Sequence, residues 1–144
     1  MTLIKSISGI RGTVGGAQAG NLTPPDVVKF TTAYARLAAR RNPGKKLTIV
    51  VGRDARISGE MVADLVEGTL LACGADVINV GLCTTPGVEM AVITHKADGG
   101  IIITKHGHAM GPIGPLDIRE AGHPVPDEDS YTATAAAVRA VSGL

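Results

Sequence analysis

At 144 residues with a formal net charge of +1, the chain has the length of one domain that can bury a real core, with little room for a second folded unit. Its hydrophobic share of 44%, mostly Ala, Val, Ile and Leu in short runs, excludes disorder and fits an α/β protein. No Lys/Arg run exceeds the pairs Arg40-Arg41 and Lys45-Lys46, and with one Phe, two Tyr and no Trp the chain lacks both a nucleic-acid footprint and stacking platforms for bases or sugars.

The N-terminus, MTLIKSISGIRG, has too short an apolar stretch for a signal peptide, and no run approaches the ~18 apolar residues of a membrane span. Cys73 and Cys83 form no Cys-x-x-Cys pair and neither has a neighbouring histidine, so buried free thiols are expected rather than a zinc or redox centre. The expectation is a cytoplasmic protein with neither nucleic acid nor membrane as partner.

In chain order, Thr23 caps and Pro24-Pro25 open a helix with Val27, Phe30, Tyr34, Leu37 and Ala38 on one face. Leu47 to Val51 is a short β-branched run that reads as a buried parallel strand. Ser58 caps a second helix with Val62, Leu65, Val66, Thr69 and Cys73 inward, and Gly74 is its left-handed stop. Val77 to Val80 is the next strand, Thr85-Pro86 opens a shorter helix running to about Lys96, and Ile101 to Ile103 is a third strand. A Gly/Pro-rich loop then reaches Leu116, a strand follows at Asp117 to Ala121, and an Ala-rich helix over Asp127 to Val141 presents Tyr131, Ala135 and Val138. Alternation of strand and helix predicts a three-layer α/β/α sandwich with a mainly parallel sheet, Rossmann-like or flavodoxin-like, in one domain. The strand order is not predicted. No Gly-x-Gly-x-x-Gly fingerprint follows any strand, which leaves a dinucleotide site unsupported.

Three stretches carry a resemblance: SGIRG at Ser8 to Gly12, VGRDARISG at Val51 to Gly59, and ADGGIIIT at Ala97 to Thr104. Together with NVGLCTTPGVEMAV they resemble, in family order, the first domain of the α-D-phosphohexomutases, the phosphoglucomutase, phosphomannomutase and phosphoglucosamine mutase group. In that family the last stretch continues into Thr-Ala-Ser-His-Asn-Pro, whose serine carries the phosphoryl group. The resemblance implies donors such as arginine around a phosphate and a magnesium ion to neutralise developing charge. Here the serine's place, two residues after Thr104, is held by His106, and the family's Asp-Gly-Asp-Gly-Asp metal loop does not occur.

From Thr104 onward, TKHGHAMGP and IREAGHPVPDEDS resemble a segment of the type-2 glycerate kinases, the family that includes hydroxypyruvate reductase-like members. Two resemblances meeting at one strand imply a join within Gly99 to Thr104, and hence an engineered chimeric scaffold without complete catalytic machinery. The alternatives are an isolated first domain of a phosphohexomutase-type intramolecular phosphotransferase with a degraded active-site loop, and a weak phosphate-binding module.

No catalytic residue and no bound cofactor are expected. The resemblance places Ser8, Gly9, Arg11, Arg53 and Arg56 around a residual site for phosphate or sulfate, and the new loop adds Lys105 and His106. The competing reading of Arg53 and Arg56 is that, flanking Asp54, they tie one loop to the next. His106, His108 and His123 read as loop residues rather than metal ligands, Met110 as a lid over the core, and any exposed strand edge as a place for self-association.

Overall fold

A computed structural model of the chain describes residues 3–6, 9–14, 21–104 and 115–121. Their elements are β1 (Ile4–Ser6), β2 (Gly9–Thr13), α1 (Pro24–Arg41), β3 (Thr48–Arg53), α2 (Ile57–Ala72), β4 (Asp76–Leu82), α3 (Thr85–Thr94), β5 (Gly99–Thr104) and β6 (Pro115–Ala121). The six strands form one sheet in the order β1-β2-β6-β5-β3-β4. The three strands expected from their β-branched runs, β4, β3 and β5, are parallel neighbours. The sheet then continues antiparallel through β6, β2 and β1, so its parallel character is confined to the three strands at one end, with β4 at the edge. The hairpin of β1 and β2 has no counterpart among the strands expected from sequence, where SGIRG entered only as a family-like stretch.

Alternate residues of the central strands feed two cores. Ile49, Val51, Ile101 and Ile103 pack with Val27, Phe30 and Tyr34 of α1 and Val62, Val66 and Leu70 of α2. Val50 and Ile102 face the other way and meet Val88 and Val92 of α3. Burial on both faces explains why these strands read as unbroken apolar runs rather than alternating ones. The α3 layer is thin, and it lies so close that a Cβ on Gly52 would fall 2.5 Å from Val88 Cγ2.

Helix ends follow their sequence signals with two exceptions. Thr23 caps α1 in a capping box, its backbone N–H donating to Asp26 Oδ2 at 2.9 Å and its hydroxyl accepting from the Asp26 N–H at 3.4 Å. The inward face of α1 is the expected one, with Thr31, Ala33 and Ala35 also buried. In α2 the N-cap is Arg56 rather than Ser58, because Asp54 Oδ1 accepts the Arg56 N–H and turns the chain two residues earlier. At its other end Gly74, at φ +84°, sends its N–H to Leu71 O while Ala75 reaches Leu70 O, the 5→2 and 6→1 pair that closes a helix through a left-handed glycine.

The second exception is Cys73. It occupies the C-cap of α2 and is exposed, while Leu70 takes the inward place and Leu65 is half-buried; Cys83 is half-buried. The expectation of two buried thiols is therefore corrected: the last turn of α2 overruns the sheet before position 73. In α3 the cap is Thr84, whose hydroxyl accepts from Gly87 N at 3.2 Å, and the helix ends at Thr94.

At the amino ends of the parallel strands, Asp98 joins β3 to the start of β5. Its carboxylate, 5% exposed, accepts from Lys45 Nζ at 2.5 Å and from Thr48 N at 2.9 Å, and its own N–H donates to Thr48 O at 2.8 Å. Desolvation pushes this carboxyl's pKa upward, but the Lys45 and Thr48 hydrogen bonds and the lysine charge outweigh it and hold the pKa below the usual value. A carboxyl whose pKa is depressed in the folded state stabilises the fold above its unfolded pKa, near 3.9, and that contribution is lost as pH falls through the folded value. Lys45 is half exposed, so solvent screening keeps the ion-pair part small and the whole contribution at about 1–2 kcal/mol. Asp98→Asn should thus be less stable than the parent at pH 7 and lose less on acidification below pH ~4, as read from urea midpoints across pH.

Candidate functional site

The carboxyl ends of parallel strands are where open α/β sheets take ligands, because the loops there diverge and helix N-termini point into the gap. Here β3 ends at Arg53 beside Ile103 of β5 on one side and Leu82 of β4 on the other. The next residue, Asp54, is the hub. Its N–H donates to Ile103 O at 2.9 Å. Its Oδ1 accepts the Arg56 N–H at 3.3 Å. Its Oδ2 lies 3.2 Å from Arg56 Nε and accepts from Thr104 Oγ1 at 3.4 Å. One side chain thereby ties the β3–α2 loop to the last residue of β5. Gly59 lies close under the same loop, where a Cβ would meet Asp54 O at 3.3 Å.

Arg53 turns toward α2. Its Nη1 donates to Asp54 O at 3.3 Å, and its Nη2 is 3.9 Å from Glu60 Oε2, whose side chain is 76% exposed. That long, solvated pair contributes little energy. On the other side, Cys83 N donates to Arg53 O at 2.9 Å and leads directly into the Thr84 cap of α3. The approach of β4 to this edge is set by a register shift at Val51/Gly52 and by Gly81 at φ +66°. Gly81 N donates to Asn79 Oδ1 at 2.6 Å, and Asn79 Nδ2 to Glu67 Oε1 at 2.5 Å. Desolvation first and the Asp64 charge second raise the Glu67 carboxyl's pKa, against the lowering effect of Asn79.

The hairpin reaches the same edge by register. Arg11 pairs with Asp117 of β6, and Asp117 with Thr104 of β5, which puts Arg11 in one row with Thr104 at a lateral distance of roughly 10 Å. Arg11 is half-buried. Gly9 is lower in the sheet: Ile10, after it, already stands level with Ile118 and Ile103. Its φ of +125° gives it a backbone role that a side chain would hinder. Of the expected phosphate residues, then, Arg56 shares the Asp54 carboxylate with Thr104, Arg53 turns to Glu60, Arg11 is level with Thr104 two strand spacings away, and Gly9 stands back. Ser8, Lys105 and His106 lie outside the described residues, as do His108, Met110, His123 and the helix expected over 127–141.

Sequence reasoning named Asp54 only as the partner of its flanking arginines and did not single out Thr104 as a donor. An Asp at a strand end with its backbone partner two residues on is the signal of an Asx-type turn, and it was available for Asp54. Among the described residues, no three His, Cys, Asp or Glu side chains gather closely enough to hold a metal. No described helix is long and apolar enough to cross a membrane.

Residues 3–138 match the family described as phosphoglucomutase/phosphomannomutase, alpha/beta/alpha domain I. The chain belongs to this family. A phosphoglucosamine mutase from Corynebacterium efficiens is 34% identical over 130 residues, 89% of this chain and 28% of that protein. A phosphoglucomutase/phosphomannomutase from Thermococcus kodakarensis is 41% identical over 95 residues, 65% of this chain and 21% of its own length. A crystal structure of a Thermus thermophilus protein named as a phosphomannomutase superposes with a TM-score of 0.74 at 25% identity, covering 96% of this chain and 30% of that one. The chain thus spans less than a third of these relatives.

The family match corrects the expected change of parent. It passes through Gly99 to Thr104 and continues to residue 138, where a glycerate kinase segment was expected, and β6 pairs directly with β5 in the domain I sheet. A phosphohexomutase first domain accounts for both sides of Thr104.

Proposed function

We propose that this chain is a first domain of the phosphoglucomutase/phosphomannomutase type, an intramolecular phosphotransferase in its full-length relatives, whose loop after β5 has lost the phosphoryl-accepting serine. It holds phosphate groups at the carboxyl ends of its parallel strands without turning them over. The observation that carries this reading is the row at that edge: Arg56 and Thr104 on Asp54, with Arg11 level with Thr104, in a chain matched to the family over 3–138. Cationic groups converging where strands end hold an anion by charge and hydrogen bonding, and need no chemistry to do so.

Two residues after Thr104 stands His106, which offers no hydroxyl to attack phosphorus. Asp54, the carboxylate at this edge, is engaged by Arg56 and Thr104.

Incubation with glucose 1-phosphate, magnesium ion and a sugar bisphosphate activator should give no glucose 6-phosphate. Measurable interconversion would overturn the non-catalytic part of the reading. Inorganic phosphate should bind with a dissociation constant on the order of millimolar, about 4 kcal/mol, seen as saturating amide shifts at Arg11 and Arg56. Absence of any saturable shift would remove the phosphate-holding part.

A further inference from the structure

Asp54 touches both loops framing the phosphate edge. Its carboxylate receives the Arg56 N–H, the Arg56 Nε and the Thr104 hydroxyl, while its backbone N–H closes onto Ile103 O. Thr104 is the last residue of β5 and Arg56 the N-cap of α2, so the carboxylate fixes a strand end and a helix start against each other across 50 residues of sequence. Both side chains of the ion pair are about one-quarter exposed, 25% for Arg56 and 27% for Asp54, which places them at the rim rather than in the core.

A carboxylate is an odd neighbour for an anion site. Considered as a charge alone, Asp54 repels phosphate and weakens its binding. It contributes to binding only by holding donors in place, because donors fixed beforehand need not be ordered when the ligand arrives. We infer that Asp54 is a positioning residue for phosphate: through Thr104 and Arg56 it sets the geometry of the edge that receives a phosphate monoester, at the expense of a local repulsion. The inference deepens the phosphate-holding reading above and rests on it.

The two roles predict opposite signs. In the full-length chain, Asp54→Asn removes the charge and leaves a single acceptor oxygen, so bare electrostatics makes inorganic phosphate bind more tightly, whereas a positioning role makes it bind several-fold more weakly. Thr104→Val should weaken phosphate in the same direction, with Thr104→Ser restoring it, since serine keeps the hydroxyl and valine only the shape. Amide exchange without ligand separates this inference from the reading it rests on. The Asp54 N–H, bonded to Ile103 O, should exchange about fivefold faster in Thr104→Val than in the parent or Thr104→Ser, the loss expected for one modest hydrogen bond.

If phosphate gives no saturable shift in the parent, the phosphate-holding reading fails, and the exchange arm alone decides whether Asp54 fixes the edge. Tighter phosphate binding in Asp54→Asn overturns the inference. So does equal Asp54 exchange in the valine, serine and parent proteins. Should Asp54→Asn fail to fold, the Thr104 pair still decides it.

Discussion

Gly52→Ala is expected to lower the unfolding free energy by about 1–3 kcal/mol, the range for forcing extra volume into a packed core. The new methyl would sit 2.5 Å from Val88 Cγ2, 3.1 Å from Val80 Cγ2 and 3.5 Å from Cys83 Cβ. Val88 is completely buried and lies in the first turns of α3, where a β-branched side chain has essentially one comfortable rotamer. It cannot swing away, so α3 must lift from the sheet or β3 must bend. Either movement disturbs the Thr84 cap and the Cys83 N–H bond to Arg53 O, at the phosphate edge. Urea titration would report the loss as a lower midpoint at unchanged slope. An unchanged midpoint would mean that Val88 does not crowd Gly52.

Ile102→Ala should cost about 2–5 kcal/mol, combining lost burial with the cavity left behind. Ile102 is fully buried, in a cluster with the buried Val50, Val88 and Val92 and, packed against them, the partly buried Ile78, Val80, Cys83, Ala91 and Ala97. Gly52 and Ile102 are also direct partners in the β3/β5 register, so the space vacated at one is adjacent to the crowding at the other. The double variant Gly52→Ala/Ile102→Ala should consequently lose less than the two single losses together, with a coupling of about 0.5–3 kcal/mol. Strict additivity would show that the two side chains do not share one void.

Legibility in the sequence followed the range of the interactions. Thr23 with Pro24-Pro25, and Gly74 after α2, are local signals that the chain obeys within a turn. The β3 and β5 runs were legible because burial on two faces removes polar residues from them, whereas β4, expected to be buried as they are, is an edge strand whose residues are half-buried or exposed. The hairpin of β1 and β2 was not legible: GIRGT of β2 has one apolar side chain among glycines, Arg11 and Thr13, and besides its pairing with β1 it is held by residues 115–118, far along the chain. Cys73 read as inward because the helical period was carried one step past the last turn that touches the sheet. At the site, Arg11, Arg53 and Arg56 were found through family-like stretches, but the contact of Thr104 with Asp54 spans 50 positions and leaves no trace in local pattern.

The same distant pairing bears on how the chain is made. In the sheet order β1-β2-β6-β5-β3-β4, the first hairpin meets the parallel strands only through β6, residues 115–121. A ribosome adding ~5–20 residues per second delivers β2 and then takes roughly 5–20 s to deliver its backbone partner. During that interval β3, β4 and β5 can assemble with their helices while β5 presents an unpaired edge that matches β6, and equally any other extended segment nearby. Completion of the sheet is thus a late event in synthesis. Slow codons or a nascent-chain binding factor acting just before residue 115 would influence the yield of folded protein more than the same interventions at the hairpin itself.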